Sequence, residues 1–258
     1  GGYTQRDIEE LARVMTGYEV RADTVSRGEV SFSSARHDPG EKHVLGLTIA
    51  SGQGEGELDR VLDHLAVHPS TARFVTRSLA LHFVSDEPPE ALITDVAARF
   101  LETAGDLRST LRALLEHPEF FRAKEHKVKR PFHFVASVLR TLAARIEGRG
   151  PELDALLAMG QRPFAWPTPD GAPRAGAAWL GTLLGRFRFV FEGLRQEGDG
   201  ALDVPLEPLT RSARSEGALV RHVLGRAPKD AEAHVLEREP DLRVRLALAL
   251  SGPTFQRY

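Results

Sequence analysis

A chain of 258 residues is long enough to bury a substantial core, as one large domain or two small ones. Its 34 Lys and Arg against 36 Asp and Glu leave a formal charge of −2, which excludes a strong long-range pull toward nucleic acid or an anionic membrane. The lack of cysteine excludes disulfides, thiolate nucleophiles and Cys-ligated zinc, and no run approaches the roughly 20 apolar residues of a membrane-spanning helix.

The first element is a helix. Thr4 and Asp7 have the spacing of a capping box, Ile8, Leu11, Ala12, Val14 and Met15 share one face, and Gly17 stops the run. From Tyr18 to Ile49 the helical period is lost. Val30 and Phe32 alternate with serines, and Val44 to Ile49 is apolar and β-branched, which predicts one small two-stranded ribbon with His37–His43 as its connection. The glycines and glutamates of Ser51 to Gly56 form a loop that lacks the closing Gly-Lys-Ser/Thr of a phosphate loop.

Helices follow from Glu57 onward. Pro69 opens the second of these, Pro88 and Pro89 interrupt, and further helices are expected over Leu92 to Thr103 and Leu107 to His117. Phe132 to Ile146 and Glu152 to Met159 each follow a proline. Pro163, Pro167, Pro169 and Pro173 force an extended segment between Gln161 and Arg174. The last helices are expected near Ala175 to Leu194, Ser212 to Leu224 and Leu242 to Leu250. The fold class is therefore mainly α, an irregular multi-helix bundle with one β-ribbon near the N-terminus. We read residues 1–258 as a single helical domain, with a subdivision between 1–160 and 161–258.

The densest polar chemistry lies in His37-Asp38-Pro39-Gly40-Glu41-Lys42-His43. Asp-Pro-Gly is turn chemistry, with Asp38 capping backbone N–H groups and His37 bonding a carbonyl. The alternatives are functional. His37, Asp38 and His43 carry the ligand types of a divalent metal site, and His37, Asp38 and Lys42 those of an acid–base site. Glu41, His82 and His133 are the candidate partners. His68 and His117 precede prolines at helix ends, where a cap of the C-terminal carbonyls is expected. Lys124, Lys127, Lys129 and Arg130 read as a solvated or salt-bridged strip, and Trp166 and Trp179 as residues that pack a loop onto a helix. No Gly-x-Ser-x-Gly elbow or His-Glu-x-x-His helix is present.

The ordered motifs resemble a bacterial domain-of-unknown-function family, the one numbered 1800, and in particular its C-terminal portion. They include Tyr3-Thr4-Gln5, Ala12 to Gly17, His37-Asp38-Pro39-Gly40-x-Lys42-x-x-Leu45-Gly46, and His68-Pro69-x-Thr71-Ala72. His82 to Pro89, Lys127-Val128-Lys129-x-Pro131, Gly160-Gln161-x-Pro163-Phe164 and Phe255-Gln256-Arg257 continue the match. Ala172 and His133 depart from the family pattern. The resemblance implies a mostly helical protein, periplasmic or extracellular, without an established activity, and with a further helical half upstream. Two functional expectations follow. One is an interaction or assembly component, whose partner is another protein or that upstream half. The other is a hydrolase-like enzyme on an extracellular polymer, metal-assisted or not, centred on His37 and Asp38.

Overall fold

The computed structural model describes residues 1–20, 28–146, 150–195, 200–212 and 215–258. Residues 21–27 and 213–214, expected in the irregular stretch and near a helix start, lie outside them. The chain is mainly α-helical, with thirteen α-helices and two small antiparallel sheets among the described residues. It divides into two compact units, residues 1–80 with 88–119, and residues 81–87 with 120–258.

The first unit begins with α1 (Gln5–Val14), which carries the expected Thr4–Asp7 capping box. Four short strands follow: β1 (Tyr18–Val20), β2 (Val30–Phe32), β3 (Lys42–Val44) and β4 (Leu47–Ile49). The single ribbon expected from alternation is two separate hairpins. Tyr18 pairs with Phe32, and Val44 pairs with Leu47, so Val30–Phe32 and Val44–Ile49 belong to different sheets. The reason is local. Leu45 and Gly46 both have positive φ, which lets β3 fold straight back onto β4 through a two-residue turn. Helices α2 (Gly56–Ala66), α3 (Pro69–Phe83), α4 (Glu90–Glu102) and α5 (Leu107–Glu116) complete the unit, α3 crossing its boundary after Ala80.

Two small cores hold this unit. Val14, Val44, Ile49 and Val61 bring together α1, β3, β4 and α2, whereas Ala72, Ala97 and Phe100 join α3 to α4. His68 and His117 do cap helices, but the helices that follow them. The Nδ1 of His68 accepts the Ser70 N–H at 3.1 Å, and that of His117 accepts the Glu119 N–H at 3.2 Å. The orphan donors at a helix start lie nearest to a side chain that immediately precedes it.

The second unit contains most of α6 (Pro118–Arg122), then α7 (Pro131–Thr141), α8 (Pro151–Ala158) and α9 (Leu183–Gly193). A 3-10 stretch, Gly176–Thr182, precedes α9 where one long helix was expected. The unit ends with α10 (Leu206–Ser212), α11 (Glu216–Leu224), α12 (Asp230–Arg238) and α13 (Leu242–Ser251). None of α6, α10 and α12 was expected. In α12 only Leu236 is buried, so its apolar stripe is too thin to stand out by period. One continuous core includes Phe134, Val138, Leu142, Phe189, Val190, Leu219, Leu246, Leu250 and Phe255. Trp179 donates to the Pro173 carbonyl at 3.0 Å and meets Trp166 edge-on, which packs the proline-rich loop as expected.

Gly17 sits at φ +84°, and a Cβ there would lie 2.7 Å from the Ser33 carbonyl oxygen. Gly28 has a similar φ of +89° with open space around it. Gly17→Ala is expected to lower unfolding free energy by about 1–3 kcal/mol, the range for a strained residue, and Gly28→Ala by less. Urea denaturation of the two variants distinguishes steric crowding from backbone conformation alone.

Candidate functional site

The polar corner is assembled by α1, the segment before β3, and the first turn of α2. Residue alternation along β3 sends Lys42 and Val44 inward and His43 outward. The Lys42 side chain is fully buried and meets three acceptors: the Asp38 carbonyl at 2.5 Å, the Gly40 carbonyl at 3.0 Å and Glu57 Oε2 at 2.7 Å. An ammonium has three N–H donors, so Lys42 is saturated. Glu57, also fully buried, stands in the first turn of α2 and presents its other oxygen to His37 Nε2 at 3.2 Å. The opposite ring nitrogen, Nδ1, donates to the Thr16 carbonyl at 2.9 Å. Burial pushes the Glu57 carboxyl up, but the hydrogen bonds from Lys42 and then His37 outweigh it, and the net shift is downward.

Asp38 lies toward the rim. Its Oδ2 accepts Arg13 Nε at 2.8 Å, and its Oδ1 accepts Arg13 Nη2 at 3.3 Å and the Gly40 N–H at 2.8 Å. The Arg13 guanidinium, and next the Gly40 N–H, hold the Asp38 carboxyl well below the usual carboxylate range. A carboxylate held that low is a poor general base near neutral pH. A Cβ at Gly40 would stand 2.8 Å from Arg13 Nη2 and would shift the guanidinium.

The acids of α1 complete the frame. Arg13 Nη1 also donates to Glu10 at 2.8 Å, and Glu10 accepts the His43 N–H at 3.1 Å. Asp7 accepts the Leu45 N–H at 2.8 Å. One donor lies in β3 and the other just past its end, two residues on, so Asp7 and Glu10, three residues apart on α1, satisfy an otherwise open strand edge. The Thr4 hydroxyl, then the Leu45 N–H, lower the Asp7 carboxyl to about 2. Leu45, forced to φ +47°, is pinned further by His64 Nε2 at its carbonyl, 3.1 Å away.

Of the residues expected at the site, His37 and Lys42 come together, and both face Glu57. Asp38 contributes its backbone carbonyl to Lys42 but turns its carboxylate to Arg13. The His43 ring is half-exposed and engages Glu41 at 3.1 Å and Thr48 Oγ1 at 3.1 Å. Glu41 thus partners His43 and not His37, and His82 and His133 belong to the second unit. Among the described residues no group of three or more His, Asp or Glu could hold a metal ion. Sequence reasoning missed Glu57, Arg13, Glu10 and Thr16. The one available signal was an acid in the first turn of a helix that follows a glycine-rich loop.

Two outcomes follow. Glu57→Gln leaves Lys42 as a buried charge without its counter-ion and is expected to cost about 3–5 kcal/mol, whereas the apolar pair Lys42→Met with Glu57→Leu recovers much of that loss. A double-mutant cycle by chemical denaturation measures the coupling. The second concerns pH. The folded-state pKa of Glu57 lies below its ordinary 4.5, so its contribution is present above that value and is lost as pH falls through the lower folded value. Wild-type stability should therefore drop below pH 4.5, and the acid limb should be shallower in Asp38→Asn, which removes a second depressed carboxyl.

No helix among the described residues is long and apolar enough to cross a membrane. No curated protein and no solved structure matches the chain. The family model described as "Protein of unknown function (DUF1800)" matches residues 1–257, essentially the whole length, and so includes both the His37–Lys42–Glu57 corner and the helical second unit. The chain belongs to the DUF1800 family.

Proposed function

We propose that the chain acts by binding another protein, as an interaction or assembly component, and not by chemistry at the His37–Asp38 corner. The observation that carries this reading is the closure of that corner. Lys42 and Glu57 are 0% exposed, and the His37 side chain 4%. Lys42 Nζ contacts three protein oxygens, His37 Nδ1 bonds the Thr16 carbonyl, and His37 Nε2 faces Glu57 at 3.2 Å. A general acid or base must come within hydrogen-bond reach of its substrate, and these groups are spent internally. The second unit offers the contrasting feature. A cavity of about 480 Å³ opens between α9, α12 and α13, lined by Phe187, Phe191, Val235, Leu236, Leu248 and Pro253. Contiguous apolar surface of this kind is a common mark of contact with another molecule. The family resemblance supports a bacterial, periplasmic or extracellular setting and a partner that is either a separate protein or an upstream part of the same chain.

A second reading is a hydrolase-like enzyme acting on an extracellular polymer. One observation favours it: a buried imidazole lies 3.2 Å from a buried carboxylate, the arrangement of an acid–base pair.

The readings predict different results. The interaction reading expects the wild-type chain to sediment as a stable complex from its native extract, and the variant F191D/V235D to sediment as a monomer with an unchanged unfolding midpoint. A wild-type monomer that retains no partner overturns it. Hydrolysis of a polymer by the wild-type chain, abolished in His37→Ala without loss of the unfolding midpoint, would establish the second reading instead.

A further inference from the structure

The second unit carries positive charge that its own acids do not neutralise. Three cationic side chains are buried among the described residues: Lys42, Lys127 and Arg186. Lys42 has Glu57, and Lys127 has Asp86 at 2.7 Å together with the Leu81 carbonyl at 2.8 Å. Arg186 has no carboxylate partner among the described residues. Its Nε donates to Thr182 Oγ1 at 3.0 Å and its Nη1 to Gln256 Oε1 at 2.8 Å, while Nη2 is buried without an acceptor. An unpaired buried guanidinium is among the costliest arrangements a protein interior holds.

A second cation stands beside the same aromatic pair. Phe134 and Phe255 meet edge-on with ring centroids 5.9 Å apart. The Arg186 guanidinium lies 5.2 Å from the Phe134 centroid, and Lys129 Nζ lies 3.7 Å from that of Phe255. Gln256 holds both residues, since its backbone carbonyl accepts the Lys129 N–H at 2.8 Å and its side chain accepts Arg186. The ammonium of Lys129 has the ring face and no hydrogen-bond acceptor among the described residues. Helix α7 begins immediately afterward, at Pro131, with no acid in its first turn. The positive end of its dipole therefore adds to the cations.

We propose that Lys129 and Arg186 form a binding site for a tetrahedral oxyanion, a phosphate or sulfate group. The chemistry of the donors selects that class. The three N–H of an ammonium and the two of Nη2 suit a multi-oxygen acceptor better than a planar carboxylate. Lys129 is partly exposed, Arg186 is fully buried, and Gln256 bonds both. Burial, and then the charges of Arg226 and Arg186, pull the Lys129 ammonium down to about 8, and burial pulls Arg186 down to about 10. An anion between them relieves both. Arg226 is itself occupied by Glu125 at 3.4 Å. Of the basic strip expected to be solvated or salt-bridged, Lys127 is salt-bridged to Asp86, whereas Lys129 rests on the Phe255 ring.

The test uses the whole chain and inorganic phosphate, with chloride and acetate at matched ionic strength. Phosphate, and sulfate with it, should raise the thermal midpoint more than chloride or acetate does, and calorimetry should give one phosphate per chain. Lys129→Met keeps the contact with Phe255 and should weaken phosphate binding at least about tenfold, roughly 1.4 kcal/mol. Lys129→Arg should retain binding, as should Lys229→Gln, which removes an exposed cation paired with Glu125. Equal midpoints in phosphate and chloride, an equal effect of acetate, or undiminished binding by folded Lys129→Met overturns the proposal. Equal loss in Lys229→Gln overturns it as well, because the effect would then be general charge. If Lys129→Met does not fold, the wild-type comparison of phosphate with chloride decides alone.

Discussion

The carboxylate of Glu57, enclosed between the ammonium of Lys42 and the ring of His37, fixes the arrangement of the first unit. Through Lys42 it reaches the Asp38 and Gly40 carbonyls, and through His37 the carbonyl of Thr16. One carboxyl group thus ties the end of α1, the turn before β3, β3 itself and the start of α2. Against an apolar replacement of the same volume, a buried ion pair adds little net free energy. What it does enforce is geometry. Four acceptors at fixed positions admit one placement of the turn, whereas an apolar contact would tolerate several.

The outer ring of this network works differently. Arg13 bridges Glu10 and Asp38 at the surface, with about a third of its side chain exposed, so solvent screens its contribution. Its value lies in direction: a planar fork reads two carboxylates at once and sets the angle between α1 and the Asp-Pro-Gly turn. Asp7 and Glu10 then meet the free N–H groups of β3. A three-residue strand has too few ladder bonds to persist alone, and the acids of α1 complete its hydrogen bonding.

The two units treat buried charge in opposite ways. In the first, Lys42 and Glu57 are matched and their donors spent. In the second, Lys127 is matched by Asp86, yet Arg186 and Lys129 rest on aromatic faces and amide oxygens. Residue types associated with catalysis are thus locked in one place, and cations without a carboxylate among the described residues stand in another. The chemistry of a side chain follows from which of its donors and acceptors remain unused, and residue type alone does not reveal that.

Much of the fold was written in local pattern. The capping box at Thr4 and Asp7, proline at the first positions of α3, α7 and α8, and the apolar stripes of α4, α5 and α13 depend on neighbours within one or two turns. Such signals survive without tertiary context. The polar corner was also visible, because His37, Asp38 and Lys42 crowd into six residues. The partner of that corner was not. Glu57 lies twenty residues beyond His37 in a different element, and periodicity carries no information on which acid a buried lysine will meet. Strand pairing failed for a different, local reason: Val30–Phe32 and Val44–Ile49 each alternate well, but turn geometry at Leu45–Gly46 decides that they never pair with each other. Local sequence therefore set the elements and their ends. Tertiary structure chose the partners of the charges, because desolvation and Coulomb attraction act through space and are indifferent to distance along the chain.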